Sequence, residues 1–217
     1  ASAVATSNSS SVGTDKVITT VYTLNGDDAA KYTKPVNDVT EATSIILAKT
    51  LTITATGPTK TYGTALTTGA SATNFTAGST GVGDETVTSV TLTQDAAGLA
   101  ATTAAGVGYV VTPSLATGTG GFLESNYNIT YDHYDGTVAR KSVVVTPDSS
   151  KTKIYGATDP ALTFTVDAMV GSEELSGSLA RATGENVGAA YVINLGTVAT
   201  GNNANYTVSL NETPVNF

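Results

Sequence analysis

The chain contains no cysteine and no tryptophan, one methionine and one histidine. Without cysteine there is no disulfide scaffold and no thiolate nucleophile. A single histidine excludes multi-histidine metal sites and leaves a histidine-centred triad little to work with. Charge is sparse and mostly negative: 13% of residues are charged, the formal net charge is -8 and the pI is near 4.4. No basic surface is available to neutralise phosphates, which excludes nucleic-acid binding, and little would attract an anionic membrane. Long apolar runs are missing too. Ile45-Ile46-Leu47-Ala48 and Val143-Val144-Val145 are strand-sized, whereas a membrane helix needs about 18 or more apolar residues, so no membrane insertion is expected. Ala1 to Val12 shows neither a charged n-region nor an apolar h-region, so no secretion signal is expected within these residues. The phosphate-loop, nucleophile-elbow and dinucleotide signatures are absent; Gly81-Val-Gly83 and Gly106-Val-Gly108 lack a third glycine.

What remains is a chain of small residues with about forty threonines, 40% hydrophobic residues and only 6% aromatic ones. A thin, β-branched interior is predicted. Leu51-Thr-Ile53-Thr, Val87-Thr-Ser-Val90-Thr-Leu92-Thr, Leu162-Thr-Phe164-Thr-Val166 and Tyr206-Thr-Val208-Ser-Leu210 alternate apolar with hydroxyl side chains, the pattern of half-buried antiparallel strands. Asn25-Gly26, Gly57-Pro58, Gly118-Thr-Gly120-Gly121, Asp135-Gly136, Asp159-Pro160 and Gly201-Asn202-Asn203 read as turns between them. One short helix at most fits between Asp95 and Ala105, where Gly98 and Gly106 interrupt an alanine-rich stretch.

Three landmarks recur in the same order. A junction, Ala48-Lys49-Thr50-Leu51-Thr52-Ile53, is echoed by Arg140-Lys141-Ser142-Val143-Val144-Val145. A Lys-x-Tyr-Gly segment follows, as Lys60-Thr61-Tyr62-Gly63 and Lys153-Ile154-Tyr155-Gly156. Val-Gly then precedes a tyrosine-bearing strand: Val12-Gly13 before Tyr32, Val107-Gly108 before Tyr127 and Val187-Gly188 before Tyr206, with Gly-to-Tyr spacings of 19, 19 and 18. These repeats divide the chain into 1–48, the closing part of a preceding β repeat, then a first module at 49–140 and a second at 141–217. Linker-free junctions predict modules laid end to end, each closing its own interior, with Tyr62 and Tyr155 in related surroundings. The order of landmarks also predicts either a segment of a longer array or ends that neighbours complete.

The second module resembles the MBG repeats of the Tyr-Gly type, which occur in tandem in large bacterial surface and adhesin-like proteins. The resemblance rests on Tyr155-Gly156, Asp159-Pro160, Ala161-Leu162, Leu179, Arg181, Gly184-Glu185, Val187-Gly188, Tyr191 and Asn205-Tyr206. One extra alanine between Gly188 and Tyr191 predicts a small bulge or a register shift. The first module departs further, since Tyr62-Gly63-Thr64-Ala65-Leu66 lacks Asp-Pro and Thr67 to Ala105 is longer than its counterpart. Leu24 to Tyr32 looks like the end of a companion repeat often found beside this family. The resemblance implies an extracellular location on a bacterial cell surface.

Reactive clusters are few. His133 lies in Tyr131-Asp132-His133-Tyr134-Asp135-Gly136, which offers metal or sugar contacts; alternation puts Asp132 and Tyr134 on the face opposite His133, favouring a strand end closed by an Asp-Gly turn. Calcium, held between modules by Asp27 and Asp28, Asp84 and Glu85, or Glu173 and Glu174, would be the one cofactor, although adjacent carboxylates on a strand point apart. No catalytic, cofactor-binding or metal-binding residue is singled out, and no pair of acids is spaced for glycosidase chemistry. Asn74, Asn128, Asn205 and Asn211 begin glycosylation tripeptides, a pattern that threonine-rich chains produce by chance. A Lys-Asn cross-link is conceivable without a pair to name. The expected fold is all-β, built of small antiparallel modules that are either sandwiches or β-grasp-like sheets. The expected function is non-enzymatic: the stalk of an adhesin, with neighbouring modules of the same protein as partners. The alternatives are a fibre subunit pairing strands with other copies of itself, and direct recognition of surface glycans or proteins by Thr67–Gly83 or Thr117–Glu124.

Overall fold

β-branched side chains pack well on a pleated surface and lose rotamer freedom in a helix, and the alternation of valine, isoleucine and leucine with threonine yields an all-β chain. The computed structural model describes residues 1–36, 38–199 and 203–217; Gly201-Asn202 of the last turn signal lies outside them. The first strands are β1 (Ser2–Ser7), β2 (Gly13–Thr23) and β3 (Asp38–Ile46). Then come β4 (Lys49–Ala55), β5 (Gly69–Ser71), β6 (Phe75–Ala77), β7 (Thr86–Gln94), the four-residue helix α1 (Ala96–Leu99), β8 (Gly108–Thr119), β9 (Tyr127–Asp132) and β10 (Tyr134–Thr137). The last are β11 (Lys141–Pro147), β12 (Phe164–Val166), β13 (Ala180–Arg181), β14 (Ile193–Asn194) and β15 (Tyr206–Leu210). Helix α1 is the single short helix expected there, started by Asp95, whose Oδ1 accepts the Gly98 N–H at 2.8 Å. The strands order into sheets β1-β2-β3, β6-β4-β9, β10-β8-β7-β5, β12-β11-β15 and β13-β14.

By internal contacts the chain forms two units, one from Ala1–Ala55, Ala70–Leu92 and Pro113–Asp132, the other from Thr56–Gly69, Thr93–Thr112 and His133–Phe217. In the first unit, β1, β2 and β3 make an antiparallel meander. Beside it in sequence, β4 is the middle strand of β6-β4-β9, antiparallel to β6 and parallel to β9. Leu51, Ile53 and Ala55 point inward from β4 while Thr50 and Thr52 stay exposed. In the second unit, β11 occupies the same place between antiparallel β12 and parallel β15, with Val143 and Val145 fully buried. Val145, Leu179, Ile193 and Val198 form a core onto which Leu162, Phe164, Val208 and Phe217 pack, all from 141–217.

The sheets β6-β4-β9 and β12-β11-β15 share a register. Lys49 faces Tyr127 and Lys141 faces Tyr206; Ala55 faces Phe75 and Pro147 faces Phe164. The junction lysines and the closing tyrosines of the two stretches therefore occupy matching positions in their sheets. Each sheet contains a parallel pair that alternation alone does not reveal, because period 2 says which face is inward and nothing about the direction of a neighbour. Another departure concerns Asp135-Gly136, which forms no turn. Both residues lie within β10, with Gly136 opposite Tyr109 on β8. The Tyr109 ring covers Gly136 so closely that an added Cβ would come within 2.2 Å of its Cζ, so the glycine leaves room for a cross-strand aromatic ring.

Candidate functional site

Tyr-Gly makes the same local turn twice. The Thr64 N–H donates to the Thr61 carbonyl and the Ala157 N–H to the Ile154 carbonyl, each at 3.0 Å. Gly63 and Gly156 have φ of +87° and +80°, as the third position of a type II turn requires. Their surroundings differ, contrary to the expectation from the repeat: Tyr62 is 2% exposed and Tyr155 71%. Burial is set by what lies over the turn. The Tyr62 ring meets Tyr206 edge-on at 5.5 Å, and a Cβ added to Gly63 would lie 2.5 Å from Val170, whereas nothing lies within 4 Å at Gly156.

Around Tyr62 a polar corner is assembled. The Tyr62 and Tyr206 hydroxyls each donate to one oxygen of the Glu173 carboxylate, and the Val170 N–H donates to the Tyr206 hydroxyl at 3.1 Å. The two phenols hold the Glu173 carboxyl below its ordinary value, Tyr206 more than Tyr62 and against partial desolvation. Burial, then the bond to Glu173, pushes Tyr206 up to about 12. For Tyr62 the bond to Glu173 is the main cause of its upward shift, followed by burial. Next to Tyr206, the Asn205 Oδ1 accepts the Ala105 N–H at 2.9 Å.

Part of this set recurs around Tyr127, with one phenol on the carboxylate instead of two. Its hydroxyl donates to Glu85 at 2.6 Å, and burial followed by that bond raises its pKa. Asn126 Oδ1 accepts the Val12 N–H at 3.0 Å. Each glutamate ends a turn, Val82-Gly83-Asp84-Glu85 or Val170-Gly171-Ser172-Glu173, closed by the glutamate N–H on the valine carbonyl at 3.0 and 3.2 Å. Reading Asp84 with Glu85 and Glu173 with Glu174 as carboxylate pairs misses this. The recurrence of Val-Gly-x-Glu was the available signal.

A second cluster gathers the motif residues of 141–217. Lys153 pairs with Asp159 and Glu185, each at 2.7 Å. Arg181 holds Asp159 through two bonds at 2.7 and 2.9 Å, reaches Glu185 at 2.9 Å and donates to the carbonyls of Ala182 and Gly184. Its guanidinium lies 4.9 Å from the ring centres of Tyr191 and Phe217. Hydrogen bonds to the cations lower Asp159 and Glu185, and those to the carboxylates raise Lys153 and Arg181. Asp159, Arg181 and Glu185 of this balanced set border a cavity of about 520 Å³, and the two cations and two anions are paired with one another. At the position matching Lys153, Lys60 is buried and donates to the carbonyls of Gly98 and Ala100 at 2.8 and 2.6 Å. Burial lowers its pKa, and the Asp95 charge opposes that shift.

The remaining candidates have separate roles. His133 Nε2 is 3.3 Å from Asp135 with both exposed, Asp132 accepts from Thr54, and the Tyr134 ring meets Tyr109 at 6.2 Å. The Tyr131 hydroxyl donates to Glu124 and accepts the Ala116 N–H; burial first, then Glu124, pushes it up to about 12. Asp28 pairs with Lys31 at 2.6 Å. Among the described residues no group of three or more His, Asp or Glu is placed to hold a metal ion. The Thr67–Gly83 stretch carries β5 and β6, and Asn211 bonds Thr146 and Thr213. The extra residue after Gly188 sits in a turn, with Ala189 N–H on the Asn186 carbonyl, instead of a strand bulge.

Residues 143–214 match the family described as MBG domain (YGX type). No curated protein and no solved structure matches the chain. Among the described residues no helix is long and apolar enough to cross a membrane.

Proposed function

We propose that the chain is a non-catalytic spacer within an extracellular bacterial surface protein of the adhesin type. In this reading Lys49–Arg140 and Lys141–Phe217 are successive repeats, Ala1–Ala48 closes a preceding one, and together they hold a binding tip away from the cell. The observation that carries this reading is the parallel pairing of the strand that opens each repeat with the tyrosine-bearing strand towards its close. β4 and β9 are parallel neighbours over six paired residues, and β11 and β15 over five. Tension applied at the two ends of such a repeat slides the two strands past each other, so the slanted bonds of the parallel ladder are strained together. An antiparallel hairpin pulled at its open end loses its bonds one at a time. The MBG match over 143–214 supports a surface-protein repeat, and the engagement of Lys60, Glu173, Lys153 and Arg181 in structural bonds supports a non-catalytic role.

Pulling single molecules of the full chain from its two ends tests the idea with an internal standard. The repeats are expected to open at forces well above the antiparallel β1-β2-β3 meander. Repeats yielding at the same force as the meander would sink the spacer reading. An array of surface glycans and matrix proteins is expected to show no binding; hits lost on altering Thr67–Gly83 would favour direct recognition instead.

One observation favours assembly between copies as a second reading. All six residues of β1 are exposed, and β2 is its one neighbour in the sheet, leaving an edge open to another strand. Sedimentation over a range of concentrations separates the readings: the spacer stays monomeric, whereas the fibre subunit assembles and stops doing so with Ala5→Pro.

A further inference from the structure

The Tyr155-Gly156 turn has the geometry of Tyr62-Gly63 and none of its covering. Both turns close on the same hydrogen bond at 3.0 Å with glycines at nearly equal φ. At Tyr62-Gly63 the covering consists of a Val-Gly-x-Glu turn and an Asn-Tyr strand: Val170 lies over the glycine, Glu173 accepts the Tyr62 hydroxyl, Tyr206 meets its ring and Asn205 accepts the Ala105 N–H. At Tyr155-Gly156 the corresponding ground is bare. Tyr155 is 71% exposed, Ile154 82% and Val187 85%. Tyr155 and Val187 line one cavity of about 260 Å³, so they share a face. Val187-Gly188 stands to Tyr155-Gly156 as Val107-Gly108 stands to Tyr62-Gly63.

We propose that this face docks the Val-Gly-x-Glu turn and Asn-Tyr strand of another repeat of the same type, with its glutamate accepting the Tyr155 hydroxyl and its valine seated over Gly156. The occupant follows from chemistry already realised within the chain: a phenol and a bare glycine turn meet a carboxylate braced by a second phenol, beside an asparagine that accepts a backbone N–H from the Val-Gly side. Val12 and Asn126 repeat that last contact at 3.0 Å, two positions removed from the Ala105 pattern. An exposed apolar patch of this kind on a chain of few aromatics marks an interaction surface. The inference deepens the spacer reading, since it supplies the joint by which one repeat orients the next, and it rests on that reading.

The test lengthens the full chain by a copy of residues 139–217 after Phe217, which sets the new junction lysine as far beyond Tyr206 as Lys141 lies beyond Tyr127. The appended copy carries Tyr155→Phe, so that nitration followed by mass spectrometry reads the original Tyr155 alone. Tyr32, equally exposed at 71%, and buried Tyr62 are references in the same molecule. In the unextended chain Tyr155 is expected to react as Tyr32 does. In the extended chain it is expected to lose that reactivity and match Tyr62, and to regain it when the appended copy also carries Glu173→Gln and Val170→Asp. Tyr155 that stays as reactive as Tyr32 in the extended chain, or stays protected with the altered corner, overturns the proposal. Repeats that resist force while Tyr155 remains reactive would remove this joint and leave the spacer reading standing.

Discussion

At Glu173 two phenols share one carboxylate, and this ties stability to pH at both extremes. Tyr206→Phe removes the bond to Glu173 and the acceptor of the Val170 N–H; it is expected to lower unfolding free energy by about 1–3 kcal/mol in urea titrations. Tyr62→Phe, which loses the bond to Glu173, is expected to cost less. Glu173, Asp159 and Glu185 are held below their ordinary values by hydrogen bonds. Their stabilisation is present above the ordinary carboxylate values of 3.8 and 4.5 and is lost as pH falls through the lowered folded values. Tyr206 is raised from 10.0 to about 12, so its contribution is complete below 10 and disappears as pH rises through about 12. Melting temperature measured across pH is expected to fall at both ends, with the alkaline fall reduced in Tyr206→Phe. Gly63→Ala is expected to destabilise more than Gly156→Ala. Both place a side chain at positive φ, costing about 1–2 kcal/mol, but Gly63→Ala also runs into Val170. The sequence marks both Tyr-Gly turns, because a positive-φ glycine after a tyrosine is a local requirement. It does not mark which tyrosine is covered, since Glu173 is 111 residues from Tyr62.

Among the elements, β4 and β11 are central strands of their sheets, each bonded on both sides and carrying fully buried side chains. Their amides are expected to exchange with deuterium slowest, and those of β1, with one neighbour and six exposed residues, fastest. Within β11, Val143→Ala removes two buried methyls and is expected to cost about 1–3 kcal/mol, whereas exposed Ser142→Ala is expected to stay within about 0.5 kcal/mol. Denaturant unfolding of the two variants checks the inward face. That face is legible in the alternation of Leu51, Ile53, Val143 and Val145. The strand's neighbours are not, because β9 and β15 return to β4 and β11 after long stretches of chain and in the parallel sense. At Asp135-Gly136 the local turn preference gives way to tertiary packing: with Tyr109 opposite, the glycine serves a close ring contact inside a strand.

At the scale of the whole molecule, ionic groups serve the fold. Lys153, Asp159, Arg181 and Glu185 link distant parts of 141–217, and Arg181→Lys, which loses the two-bond grip on Asp159 and the planar contact with two rings, is expected to lower the midpoint of denaturant unfolding. Calcium is expected to leave the melting temperature unchanged, because Glu85 and Glu173 are engaged by tyrosine hydroxyls; a rise on adding calcium would place an ion among other oxygens. The amino-acid sequence by itself determined strand formation, the inward face of each strand and the spacing of the recurring landmarks, because alternation, β-branching and glycine turns act over a few residues. Tertiary structure alone decided the parallel neighbours, the joining of Glu173 to two tyrosines, and the covering of Tyr62 beside an open Tyr155. Those outcomes depend on surfaces brought together from far along the chain, where a short stretch of residues carries no record of its eventual neighbour.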